Sequence, residues 1–520
     1  MKKKTFIKSS IIVMILIVAG KIVALFRDSL IASKFGATYV TDIYNVAIGI
    51  VNLLTTISYG LTTTFIPLNT EYIEKGNIKN RNRFVNNVIS IASIVTIFIT
   101  IVLMLFTKQI IYLFGHGFTS KPVVFNTSVE ITRIMFIALI FITIQSVVAG
   151  VLQSHKEFYE PAAMALVSNL VYVVYLIFLT EKYGIKGFAV ATVIGFFAQL
   201  IINLPKYRKL GYRYFPTLNF KDESTVRMFK LMTPIVVSTS VVQLNVFVNR
   251  SFANNIYFGA VTVLDFSNKI NTLAYEVFAI GIAMIVYPTL SEFAVKGDFT
   301  KYKKSLGSAL TTIIMIMVPA SVAIGMLRIP LVTVIFGRGA FTVKDVNLTA
   351  GALLFYCPAM IAYGVRDILN KAFYSLKDAK TPMINSLFGI IINIIINIFI
   401  VKYMKVSGLT LATTISAVMT TVLMLWDLNK KIKGIDLKNI FVNFIKVSIA
   451  SMVMALFIFF INKICAVEFT NAMKSSIISI LVSFVLGSIV YFMCLYIVKI
   501  KEYSDLINKL KNFMLKRNIQ

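Results

Sequence analysis

The sequence predicts an all-α polytopic membrane protein of about 14 transmembrane helices, arranged as two parallel six-helix repeats around a central cationic cavity with two extra C-terminal helices. Three observations carry that expectation: a strongly apolar composition, basic residues confined to alternate loops, and an internal repeat at a nearly constant offset.

Composition comes first. The 520 residues are 58% hydrophobic and only 14% charged, with a mean hydropathy of +0.82. Soluble domains run at about 45–50% apolar and about 25% charged. Apolar runs of about 20 residues, enough to cross ~30 Å of hydrocarbon, recur along the whole chain. They fall near 6–26, 40–66, 85–106, 126–152, 161–179, 187–204, 231–250, 262–288, 307–327, 346–370, 383–401, 407–426, 440–461 and 475–498. MKKKTFIKSS leads into the first run without a small-residue cleavage site, so an uncleaved first span is expected.

The net charge of +30 has an ordered placement. KGNIKNRNR (75–83), PKYRKLGYR (205–213), KYKK (301–304) and NKKIK (429–433) all lie on one side if the spans alternate. The positive-inside rule then puts both termini and the even-numbered loops of this multi-pass chain in the cytoplasm. The excess charge thus serves topology and anionic lipid rather than nucleic acid. The tail 499–520 reads as a basic amphipathic helix on that surface.

Enzyme chemistry finds no foothold. Cys357, Cys465 and Cys494 form no CxxC, and His116 and His155 are the two histidines, so no zinc set can be assembled. There is no GxSxG, Walker loop or dinucleotide turn. No catalytic residue and no cofactor are expected, and the identity of any metal or coupling ion is left open.

The repeat sets the architecture. IPLNTEYIEKGN (66–77) matches YPTLSEFAVKGD (287–298), and GFAVATVI (187–194) matches GLTLATTI (408–415), both at an offset of 221. FGHGFTSK (114–121) resembles FGRGAFTVK (336–344), and Ser154 and Pro161 recur as Ser375 and Pro382. Arg27, FGA (35–37) and Asp42 return as Arg250, FGA (258–260) and Asp265 at 223. The repeats are residues 1–205 and 226–430, with 440–498 as an appendage of two helices. An even number of spans gives both copies one orientation, as in transporters whose halves rock around a central site.

Polar residues form stripes within the spans. Asp42, Asn45, Gly49, Asn52 and Thr56 share one face of span 2; Asp265, Lys269, Thr272 and Glu276 share one face of its repeat mate, span 8. Thr239, Gln243 and Arg250 line span 7, and Lys21 and Asp28 lie seven apart on span 1. Each stripe alone is compatible with helix-to-helix cement. Together, Lys21, Arg27, Arg250 and Lys269 point to a hydrated chamber that takes an anion, and an arginine fork suits a phosphate. Asp28, Asp42, Asp265 and Glu276 then hold or compete for those cations. Arg133, the Arg366–Asp367 pair, Gln153 and Ser154 read as local anchors, Asn393 and Asn397 as a helix-to-helix pair, and Arg338 as part of an outer turn.

The segments RDSLIASKFGATYVTDIYNVA, NLL (52–54), FIPLNTEY (65–72), TRIMF (132–136), AGVLQS (149–154), FGRGAFT (336–342) and FYSLKDAKTP (373–382) resemble, in order, the MurJ/MviN lipid II flippases of the multidrug/oligosaccharidyl-lipid/polysaccharide exporter group. The resemblance implies fourteen helices in two lobes around a cationic cavity, with the last two forming a groove for a polyprenyl tail. It implies movement of undecaprenyl-diphosphate-linked peptidoglycan precursor by alternating access, driven by membrane potential or an ion gradient, with cell-wall synthesis proteins as possible partners. It places the family's cavity Arg–Asp pair on Arg27 and Asp28, its helix-2 acid on Asp42 and its helix-8 cation on Lys269. The chain departs from the pattern at Thr55 and Thr56, where an Arg pair is common, and at Thr272, where an acid is common. It has no Asp or Glu at 224–264 or 379–426, where some members hold sodium. A flippase for teichoic, capsular or sporulation glycans and a non-transporting scaffold are the alternatives; a drug or cation antiporter would need an acid-dominated cavity.

Overall fold

The computed structural model describes residues 3–505, and no strand occurs among them. Residues 506–520, most of the expected basic tail helix, lie outside the described residues. Ten helices are long and apolar enough to cross a membrane by length and composition. Helices α1, α9 and α10, with 33, 32 and 37 residues, are as long, and they carry Lys21, Arg27, Arg250, Asp265 and Lys269.

The chain divides into two compact units. The first runs to Thr262 and includes Arg338–Phe341. It holds α1 (Lys3–Phe35), α2 (Tyr39–Glu74), α3 (Ile78–Leu105), α4 (Thr107–Phe114), α5 (Pro122–Phe136), α6 (Ala138–Ser154), α7 (Tyr159–Phe178), α8 (Thr180–Lys209) and α9 (Glu223–Asn254). Its core joins α2, α3 and α6: Phe65 stacks on Phe84 with centroids 5.5 Å apart, walled by Leu61, Val88 and Val151. Gly150 lets α6 approach, because a Cβ there would sit 2.9 Å from the Phe65 ring.

The second unit holds most of α10 (Ala260–Lys296), then α11 (Phe299–Met326), α12 (Arg328–Phe336), α13 (Val343–Ser375), α14 (Lys380–Lys431), α15 (Leu437–Glu468) and α16 (Ala472–Val498). Tyr302, Leu310 and Met317 of α11 meet Ile368 and Phe373 of α13, Met424 of α14, and Val447 of α15. The appended pair packs closely through small residues, Gly487 of α16 lying against Met454 and Ile458 of α15. Tyr491 ties α16 to α11 by donating to the Met315 carbonyl at 2.6 Å. On α14, Phe388, Ile391, Ile395, Ile398 and Phe399 are exposed, as a face meeting lipid must be.

The repeat is written into the backbone. Helices α3 and α11 both have 28 residues, and both ends differ in number by 221 (78 and 299, 105 and 326). Both begin at a side-chain cap, Asn77 accepting from the Asn80 amide and Asp298 from the Lys301 amide. Left-handed residues recur in pairs: Gly76 and Gly297, Lys156 and Lys377, Gly184 and Lys405. The last pair kinks α8 and α14 with closely similar angles, φ 53° and ψ −148° at Gly184, φ 51° and ψ −131° at Lys405. The kink at Lys405 splits α14 into two spans, matching the expected 383–401 and 407–426.

The two kinks yield a paired prediction. A Cβ at Gly184 would meet nothing within 4 Å, so only backbone strain opposes a side chain there. Lys405 is exposed and already bears that strain. Lys405→Gly should stabilise, and Gly184→Ala destabilise, each by about 1 kcal/mol, read as opposite shifts of the thermal midpoint in detergent.

Candidate functional site

Arg27 lies on α1 facing α7. Its Nε and Nη2 donate to Asp28 Oδ1 at 3.1 and 2.8 Å, and its Nη1 donates to Asn169 Oδ1 at 2.8 Å. Asn169 is itself fixed by donating to the Ala165 carbonyl at 2.8 Å. The guanidinium carbon stands 5.7 Å from the Tyr172 ring centroid. Asp28 is buried, while the Arg27 side chain keeps 21% of its surface open. Arg27 is thus gripped from two sides by α1 and α7 rather than extended along a helix toward the membrane surface. Three of its five N–H groups are used in these bonds. Lys21 lies two turns before Asp28, half-buried, where Gly20 brings α1 against Ala165 and Leu166 of α7.

The stripe on α2 has several distinct partners. The buried Asp42 carboxylate accepts from the Gly259 amide at 2.6 Å, the Thr262 amide at 2.8 Å and the Thr262 hydroxyl at 2.7 Å. These are donors left open at the start of α10, so Asp42 caps that helix across more than 200 residues of sequence. Asn45, one turn on, reaches the Thr262 hydroxyl at 3.4 Å. Gly259 has φ +102°, and a Cβ on it would lie 2.1 Å from the Ala37 carbonyl oxygen. The FGA and Asp motifs therefore belong to one helix-start joint.

Further along α2, a Cβ on Gly49 would lie 2.3 Å from Arg250 Nη1 and 3.4 Å from Arg250 Cδ. The Arg250 side chain of α9 thus rests on bare backbone. Thr56 bonds Ser240 of α9 at 3.1 Å, and Gly60 faces Met232 and Val236. Asn52 of the same stripe is exposed. Much of the α2 stripe therefore meets α9 and the start of α10.

In the second unit, Asp265 is buried and Lys269 Nζ stands 5.1 Å over the Phe266 ring. Phe266 stacks on Phe336 at 4.3 Å. Thr272 donates to Asn268 Oδ1 of its own helix at 3.3 Å, and Glu276 is half-buried. A cluster around the Arg366–Asp367 pair joins α10 to α13. The Tyr275 hydroxyl donates to Asp367, Tyr275 meets Tyr363 edge-on at 5.9 Å, and Arg366 lies 5.0 Å over Tyr363. Lys371 lies 5.6 Å over Tyr287. The signal available in sequence was the spacing of Tyr363, Arg366, Asp367 and Lys371 on one face of α13.

The remaining candidates have structural settings. Arg133 Nε donates to the Met104 carbonyl at 3.1 Å, tying α5 to the end of α3. Asn397 donates to Asn393 at 3.2 Å, and Asn393 to Thr413 at 3.4 Å, joining the two limbs of α14. Arg338 is in a turn that packs on α1, where the Ala340 amide donates to the Ser33 carbonyl at 2.8 Å. Ser154 donates to the Gly150 carbonyl at 2.7 Å, within its own helix. Outside the spans, burial raises the Asp378 carboxyl, but bonds from Lys431 and Thr381 outweigh it and hold it at about 2. Partial burial and nearby Arg81 push His155 below its ordinary range. Among the described residues no group of three or more His, Cys, Asp or Glu is placed to hold a metal.

Two substitutions separate the joint from the cation. Asp42→Ala leaves buried amides without an acceptor and should cost about 3 kcal/mol, seen as a large drop in thermal midpoint. Gly49→Ala should displace only the flexible end of Arg250, leaving stability within ~1 kcal/mol of wild type and the thermal midpoint nearly unchanged.

The sequence profile described as "Lipid II flippase MurJ" matches residues 31–497. A "Probable lipid II flippase MurJ" of Buchnera aphidicola subsp. Acyrthosiphon pisum is 26% identical over 500 residues, covering 95% of this chain and 98% of the relative. The "Lipid II flippase MurJ" of Burkholderia cenocepacia is 25% identical over 420 residues, covering 79% and 81%. Among solved structures, "Lipid II flippase MurJ, inward closed conformation" superposes with a TM-score of 0.79 at 25% identity, covering 96% of this chain and all of that one. An inward-facing MATE family transporter of the MOP superfamily shares the fold, with a TM-score of 0.67 at 15% identity over 81% and 98%. With the profile spanning residues 31–497, most of its length, the chain belongs to the MurJ lipid II flippase family.

Proposed function

We propose that this protein moves undecaprenyl-diphosphate-linked peptidoglycan precursor from the inner to the outer leaflet of the plasma membrane by alternating access, and is not an enzyme. Family membership supports the transported class. The observation that carries the site is Arg27, held through Nε and Nη2 by Asp28 and through Nη1 by Asn169, with one N–H on each of Nη1 and Nη2 left for a ligand. A cation kept within a span costs several kcal/mol unless it serves a partner, and a diphosphate is a partner that a preorganised guanidinium meets with charge-assisted bonds. Lys21, Arg250 and Lys269 are the other proposed diphosphate contacts. The basic ends of the helices face the cytoplasm, with both termini on that side. No nucleotide-binding motif occurs in the sequence, so membrane potential or a coupled ion supplies direction.

The test is replacement of a bacterium's own lipid II flippase by this chain. Growth and lipid II translocation should be restored. Arg27→Gln with Arg250→Gln should lower translocation about tenfold or more at equal membrane abundance, as expected for losing charged hydrogen bonds of about 1.5–3 kcal/mol each. Full rescue by a variant neutralised at all four cations would overturn the diphosphate assignment. Failure of the abundant wild-type chain to restore translocation, with loss of another glycan polymer on its deletion, would favour a different lipid-linked glycan.

A further inference from the structure

We infer that the segment joining the two repeats, residues 210–222, and the cleft beside it form a binding site for one anionic phospholipid. The proposal does not rest on the transported substrate, only on the chain spanning a membrane.

Helix α3 starts with Lys79, Arg81 and Arg83, then carries the buried polar residues Asn86, Asn87 and Ser90. Ser90 is seven residues past Arg83, about 10 Å along the helix axis and so beyond the basic rim. These side chains are matched to the joining segment. Asn87 Nδ2 donates to the Asn219 carbonyl at 2.9 Å, and the Asn219 amide donates to Asn87 Oδ1 at 2.7 Å. The Thr217 amide donates to Ser90 Oγ at 3.2 Å, and the Ser90 and Tyr214 hydroxyls bond at 3.0 Å. Nearer the rim, Asn82 donates to the Gly211 carbonyl at 3.2 Å, and Arg81 covers the Tyr212 ring at 4.0 Å. Irregular backbone is tolerated at membrane depth only where the protein satisfies its polar groups, and Asn87 and Ser90 do so here.

What the segment turns outward is apolar. Tyr214, Phe215, Leu218 and Phe220 are 49%, 65%, 56% and 64% exposed. Arg208, Lys209, Arg213 and Lys221 flank them. Aromatic residues bordered by cations fit the interface of a leaflet containing anionic lipid. Beside Tyr214 opens a cleft of about 380 Å³, lined by Ile89, Ser93, Val148 and Leu200 and bounded by Tyr207 and Tyr214. Tyr207 is only 4% exposed, yet its hydroxyl has no hydrogen-bond partner among the described residues. An acyl chain fits the apolar cleft, and the phosphate meets Arg213 and Lys221.

The test is native mass spectrometry of the full-length chain released from mixed phosphatidylglycerol and phosphatidylcholine, after annular lipid has been stripped. Wild type should retain one phosphatidylglycerol, favoured over phosphatidylcholine by about fivefold or more. Ser93→Phe, which puts a ring into the cleft, should lose the adduct. Arg213→Gln with Lys221→Gln should retain a lipid but lose the preference, and excess inorganic phosphate should displace nothing. Retention of the adduct by a Ser93→Phe protein with a wild-type melting curve would overturn the site. So would equal retention of the two lipids, or displacement by phosphate. If Ser93→Phe does not fold, Arg213→Gln with Lys221→Gln decides: loss of the preference for phosphatidylglycerol supports the site, and an unchanged preference overturns it. None of these readouts depends on lipid II translocation, so the two proposals fail separately.

Discussion

A polar group left unsatisfied in hydrocarbon costs several kcal/mol, and that cost organises this protein. The joint around Asp42 shows it most directly. The start of α10 leaves amides open, and a buried carboxylate from α2 closes Gly259 and Thr262 with three short bonds. That requirement accounts for the acid, for the glycine at φ +102° and for the FGA motif beside it. The same rule holds where α3 lends Asn87 and Ser90 to an irregular segment that has no ladder of its own.

Charges obey the rule in a second way. Arg27 is not simply neutralised by Asp28; it is oriented by Asp28 and Asn169 from two helices and braced near Tyr172. A guanidinium held at all three nitrogens presents its two remaining N–H groups in fixed directions, the arrangement that the proposed diphosphate contact requires. Arg250 is positioned differently, by the absence of a side chain at Gly49.

Much of the fold was legible in sequence because its causes are local. Apolar length defines spans, and a constant offset defines repeats, so the ends of α3 and α11 agree residue for residue. The kink shared by Gly184 and Lys405 was only half legible, since a lysine gives no sign of a left-handed conformation. The site was legible as a set of residues and less so as a geometry. Helical period showed that Asp42, Asn45, Gly49 and Thr56 share a face, but period cannot say what a face meets. Here much of it meets α9 and the start of α10, close to the helix-cementing alternative for such stripes. The Tyr275–Asp367 contact depends on a partner 92 positions away and left no local trace. Asn87 and Ser90 likewise give no local sign of the partners they meet at 214–219.

The central claim is that an oriented guanidinium at Arg27 recognises a diphosphate. Its most direct test is equilibrium binding of undecaprenyl diphosphate to the purified protein in nanodiscs, comparing wild type with Arg27→Gln and Asn169→Ala. Arg27→Gln should weaken binding about tenfold or more, and Asn169→Ala, which frees one edge of the guanidinium, by a smaller factor. Wild-type affinity in a folded Arg27→Gln protein would contradict the account.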